Sequence, residues 1–90
     1  MQDLTYARNA GVVDRTVGSQ LFLINDRSGR IHAVEGAAAG VWNLLETPQS
    51  MSEMLEVFRA AFPEQAPKSV RSFLTKALSE LERRRLVEPA

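Results

Sequence analysis

The sequence predicts an α+β domain in which three antiparallel strands lead and three helices follow. Up to Val34 the apolar residues come in short, β-branched runs separated by Gly-containing turns, which is strand patterning. From Ala37 onward they recur every three or four residues, which is the spacing of helices buried along one side. The change of period falls at Gly36, so all the strands precede all the helices.

Met1 to Gly11 is polar and mixed, and reads as a loose arm with Leu4 and Tyr6 as anchors. Val12 to Val17 is the first predicted strand, and Gly18-Ser19 is a turn. Gln20 to Asn25 is the second. Its unbroken centre, Leu21-Phe22-Leu23-Ile24, suggests burial on both faces. Asn25-Asp26-Arg27-Ser28-Gly29 is a hairpin loop, since Asn, Asp and Ser bond their own backbone and Gly29 accepts positive φ. Arg30 to Val34 is the third strand and completes a meander.

Ala37 to Leu45 carries Val41, Trp42, Leu44 and Leu45 at helical spacing, with Pro48 beyond its end. Ser50-Met51-Ser52-Glu53 is a capping box that opens a second helix running to about Phe62-Pro63, with Met51, Met54, Leu55 and Phe58 on one face. Pro67 suits the first turn of a third helix, where Val70, Phe73, Leu74, Ala77, Leu78 and Leu81 form an unbroken stripe. Glu80 and Arg84 are spaced for an ion pair. Leu86-Val87 is expected to fold back on the core as a short extended tail. The order β-β-β-α-α-α is that of a winged-helix-like domain with the sheet leading.

Ninety residues make one domain, with its core between about Val12 and Val87. An apolar fraction of 44% argues for a folded chain. Zero formal net charge gives no general attraction to nucleic acid or to an acidic membrane. With no cysteine, disulfides and thiolate metal sites are excluded. The start has no signal-peptide pattern and no segment is apolar enough to span a membrane, so a cytoplasmic protein is expected.

Catalytic patterns are absent. His32 is the only histidine, there is no G-x-S-x-G elbow, and Gly36 and Gly40 flank alanines with no Lys-Ser/Thr after them. No metal-ligand spacing occurs. The reading is of a protein that is not an enzyme and takes no cofactor and no metal. His32 alone reads as an ordinary strand residue, Trp42 as a core anchor, and Met51 and Met54 as packing. Arg83-Arg84-Arg85 reads as a solvated helix end, where positive charge suits the helix dipole; its sharper reading is contact with phosphate or an acidic partner surface.

Leu23-Ile24-Asn25, Ser28-Gly29-Arg30, Val41-Trp42-Asn43-Leu44-Leu45, the capped Ser50-Met51-Ser52-Glu53-Met54-Leu55, and Phe73-Leu74 through Leu86-Val87 stand in an order that resembles the PqqD-like family, the RiPP recognition elements. The family's Leu-Asn at the end of the third strand is Val34-Glu35 here, and its Gly before the Trp helix is Ala38. The resemblance implies a non-catalytic peptide chaperone. Such domains capture the leader segment of a ribosomally made precursor peptide by adding it as a strand to the third strand. They present it to a modifying or processing enzyme, such as a radical SAM enzyme, a leader peptidase or a kinase-like enzyme.

Carried onto this sequence, the resemblance implies a peptide site built from Arg30, Ile31, His32, Ala33 and Val34 of the third strand. Val70, Phe73, Leu74 and Ala77 of the last helix would form its apolar wall, with Arg71, Lys76 and Arg30 meeting acidic leader residues. Two other readings stand beside it. A DNA-binding winged helix would need a basic recognition helix, whereas Glu53 and Glu56 precede Arg59 on the second helix. A structural dimerisation domain would use the same free edge to make a homodimer.

Overall fold

The computed structural model describes residues 3–90, so Met1 of the expected N-terminal arm and its neighbour Gln2 lie outside the described residues. The predicted meander is present. Strands β2 (Val12–Val17), β3 (Gln20–Asn25) and β4 (Ile31–Val34) pair antiparallel in chain order, with β3 in the centre. The helices follow as α1 (Gly36–Leu44), α2 (Met51–Ala61) and α3 (Pro67–Arg83).

Local chemistry accounts for the junctions. The Asn25 side-chain oxygen accepts from the N–H groups of Arg27 and Ser28, and Gly29 takes φ of 72°, closing the β3–β4 hairpin. Ser50 caps α2 as its sequence requires: its hydroxyl accepts from Glu53 N–H at 3.1 Å, and Glu53 Oε1 accepts from Ser50 N–H at 2.8 Å. Hydrogen bonds from Ser52 to the Asp3 carboxylate steady the same turn and hold the Asp3 pKa below its ordinary value. Pro67 sits in the first turn of α3, and Glu80 meets Arg84 at 3.1 Å.

The N-terminal arm departs from expectation. Thr5–Arg8 is not loose but forms β1, the middle of a second sheet ordered β5-β1-β6, with β5 (Gln49–Ser50) and β6 (Val87–Pro89). Tyr6 is buried at 7% exposure, and burial, aided by the charge of Glu82, raises its pKa. Of the two expected anchors, Leu4 is exposed and contributes its carbonyl, which accepts from Met51 N–H at 3.0 Å. The tail does fold back: Leu86 and Val87 are buried, and β6 pairs with β1.

The core lies between the helices and the inner face of the meander, and its largest fully buried side chains include Trp42, Leu23, Leu45, Met54, Leu74 and Leu81. Trp42 is held from several directions. Its indole N–H donates to Asp14 Oδ2 at 2.9 Å, and Arg8 donates twice to its carbonyl at 3.0 and 2.8 Å. The Arg8 guanidinium also lies 4.3 Å from the centre of the indole ring. This knot ties β1, β2 and α1 together.

The expectation that β3 is buried on both faces is corrected. Leu23 is fully buried, but Phe22 and Ile24 on the other face are only half-buried. The register places Val13, Ile24 and Ile31 in one row across that outer face, and no strand or helix lies over them, as the 64% exposure of Ile31 indicates.

Candidate functional site

Among the described residues strand β4 is an edge: its single strand neighbour is β3. Asn25 N–H donates to Arg30 O at 2.9 Å, which fixes the phase of the ladder. In an antiparallel pair, hydrogen-bonded and non-hydrogen-bonded positions alternate. The register Leu23↔His32 and Leu21↔Val34 therefore turns the N–H and C=O of His32 and Val34 toward β3. Those of Ile31 and Ala33 point out, to the open edge.

The side chains alternate as well. Val34 is buried and His32 half-buried on the inner face, while Ile31 and Ala33 are exposed on the outer one. The end of α3 lies across from the start of β4, and Phe73 in its second turn lies near Gly36 past the end of β4, so the two run in opposite directions. Near the start of β4, Arg27, Arg30 and His32 face Arg83, Arg84 and Arg85 across a cleft of about 570 Å³, with Asn9, Asn25 and Ser28 completing its walls. Past the end of β4, an apolar cleft of about 630 Å³ is lined by Gly36, Ala37, Gly40 and Leu44 of α1, by Val57, Phe58, Ala61 and Phe62 at the end of α2, and by Phe73 of α3. The Phe58 and Phe62 rings stand edge-on at 6.2 Å.

Phe73 of the apolar cleft and Arg84 of the arginine-lined cleft stand on one flank of α3. At about 100° per residue, Phe73, Glu80 and Arg84 project within about 40° of one another. The pKa of His32 is pushed down by burial first, and then by the positive charges of Arg84 and Arg30.

The eleven residues expected at a binding site divide accordingly. Arg30, Ile31, His32 and Ala33 lie along the open strand and its approach, and Phe73 stands on the groove flank at 49% exposure. Val34 joins them through its backbone alone, because its side chain is core. Val70, Leu74 and Ala77 are not an exposed wall: they are buried in the stripe that packs α3 into the core. Arg71 lies about 140° around the helix from Arg84, on the flank away from the groove. Lys76 is exposed about 80° outside it. The sequence reading did not include Arg27, and it offered Arg83-Arg84-Arg85 as a contact for phosphate or an acidic partner surface without placing the run opposite the start of β4, where the structure sets it.

Among the described residues no group of three or more His, Asp or Glu side chains gathers into a metal site, and no helix is long and apolar enough to cross a membrane.

The family model described as coenzyme PQQ synthesis protein D (PqqD) matches residues 20–87, from β3 to the start of β6. The chain belongs to the PqqD family. In this PqqD-family domain the matched segment contains the open β4 edge, the apolar cleft, every lining residue of the arginine cleft except Asn9, and the whole of α3. The fold is also that of a solved structure, TbiB1 in complex with the TbiA(beta) leader peptide, with a TM-score of 0.78 and 20% identity over 91% of this chain and 94% of that one. No curated protein matches the chain.

Proposed function

We propose that this PqqD-family domain is a non-catalytic module that captures the leader segment of a ribosomally made precursor peptide and presents it to the enzyme that modifies or cuts the precursor. The leader adds as a strand to the open edge of β4. The observation that carries this reading is the pair of outward-facing peptide groups at Ile31 and Ala33, set beside a groove whose far wall is α3. Main-chain pairing to such an edge gives affinity, and pockets beneath it select side chains. Membership of the PqqD family supports the reading, as does the likeness in fold to a chain solved with a leader peptide bound.

The groove divides the labour. The apolar cleft around Phe73, Val57 and Phe62 accepts one large apolar leader side chain, since these three rim residues are among the most exposed apolar side chains of the domain. The enzyme receiving the leader belongs to a class such as radical SAM enzymes, leader peptidases or kinase-like enzymes. The test is an amide NMR titration of the labelled domain with the leader segment of a small precursor encoded beside it. Shifts at Ile31, Ala33 and Phe73 are expected, and Phe73→Ala should weaken binding about 5- to 30-fold. Saturable binding that leaves all three signals unmoved would refute strand addition.

A further inference from the structure

The arginine-lined cleft is more than a solvated helix end. Five of the chain's eleven Lys and Arg residues line it, in a protein whose net charge is zero. Among the described residues no acidic side chain lines it, and the one ion pair at its margin is Arg84 with Glu80. Like charges held together in this way repel, and the cost is relieved when an anion enters between them. His32 registers the same field, since Arg84 and Arg30 both disfavour its protonated form.

The backbone adds an independent sign. Helix α3 ends with Leu86 N–H donating to Leu81 O and Arg85 N–H donating to Glu82 O, both at 2.9 Å. That is the Schellman pattern, whose left-handed position is usually glycine. Arg85 holds that position instead, at φ of 58°, and among the described residues is the one non-glycine residue with positive φ. Asn9 secures the strained turn by donating to Arg85 O at 3.1 Å. A residue kept where glycine would be more comfortable points to a use for its side chain.

Resting on the peptide-binding reading above, we propose that this cleft is a carboxylate-binding subsite: it takes acidic side chains of the bound peptide at the end of the groove where β4 begins. Phe73 and Arg84 stand about 16 Å apart along α3 and an extended peptide rises about 3.3 Å per residue, so the acidic segment lies roughly five residues from the apolar anchor. Arg30, Arg83, Arg84 and Arg85 hold the carboxylates through charge-assisted hydrogen bonds. An extended peptide is favoured over nucleic acid because the cleft borders the open strand at Arg30 and His32, an apolar cleft lies near the other end of that strand, and the rest of the surface carries no excess positive charge.

The probe is hexa-L-glutamate, titrated into the labelled full chain at constant ionic strength, with hexa-L-glutamine and a twelve-nucleotide oligothymidylate in parallel. Hexaglutamate is expected to shift Arg27, Arg30, His32 and Arg83 to Arg85, and to raise the titration midpoint of His32. Hexaglutamine should do neither. Arg30→Gln and Arg84→Gln should each weaken hexaglutamate about 3- to 10-fold. Arg85→Gly should weaken it similarly while raising the melting temperature; a lower melting temperature would overturn the account of the strained turn. Equal shifts at Arg15 and Arg59 would reduce the effect to charge screening, and tighter binding of oligothymidylate would make the cleft a phosphate site; either result overturns the proposal. Loss of hexaglutamate binding with leader shifts intact at Ile31 and Ala33 rejects this subsite alone. The reverse pattern rejects strand addition and leaves the carboxylate site standing.

Discussion

Arg8, the last residue of β1, and Arg84, at the end of α3, differ in nearly every respect of their surroundings. Arg8 donates to the Trp42 carbonyl, stacks on the Trp42 ring and lies 3.7 Å from Asp14. Its contacts are all made within the fold, and Asp14 in turn accepts from the Trp42 indole. Arg84 has Glu80 and then four further arginines around one open cleft, beside a strand with unpaired peptide groups. The first region joins three elements and leaves nothing for a ligand to complete. The second leaves hydrogen-bonding groups and charges open to solvent, which a bound peptide would complete under the proposed function. Stability and recognition are thus assigned to different parts of one small domain.

Perturbing the first region should act on folding. Trp42→Ala removes a side chain at 1% exposure and its hydrogen bond to Asp14, and should cost about 3–5 kcal/mol, read from urea unfolding. A loss under about 1 kcal/mol would mean that the knot is not a structural centre.

Perturbing the second should act on binding. Ala33→Pro removes an outward N–H at an edge, where proline is tolerated, so leader affinity should fall about 10- to 30-fold with the melting temperature nearly unchanged. Unfolding of this variant would blur the comparison, and Ile31→Pro, at the other outward position, then serves in its place.

Arg8→Met keeps the aliphatic stem but loses two hydrogen bonds and the ring contact, and should destabilise by about 1–2 kcal/mol without altering leader affinity measured on the folded fraction.

These variants also mark what the sequence could reveal. Strands β2 to β4, the Ser50 capping box and the α3 stripe rest on local patterns, and each appears where those patterns put it. The β1 pairing does not: Tyr6 finds partners at Gln49 and Pro89, so no local pattern records it. The open strand was legible because a hairpin ends there. The groove flank was not, because the periodicity of Val70, Leu74, Ala77 and Leu81 marks what α3 buries and is silent about which flank stays uncovered. That is why Val70, Leu74 and Ala77 looked like groove residues and Glu80 and Arg84 did not.

Smaller effects sharpen the contrast. The His32 pKa is lowered in the folded chain, so between its folded value and its ordinary value of 6.5 the unfolded chain holds more protons. Stability from this group is complete above about pH 6.5 and declines as pH falls through the folded value, a shallow dependence that His32→Gln should remove. Arg71→Glu should change leader affinity less than about twofold, because Arg71 lies off the groove flank. A large loss would move the site to the other side of α3.

Hydrogen exchange at β4, with and without the leader segment, tests the central claim most directly. In the free domain, the amides of His32 and Val34 should be protected and those of Ile31 and Ala33 should exchange rapidly. Saturation with leader should slow Ile31 and Ala33 selectively. Protection at those two amides before the leader is added, or rapid exchange there in the saturated complex, would contradict the claim that β4 is an open edge completed by a peptide strand.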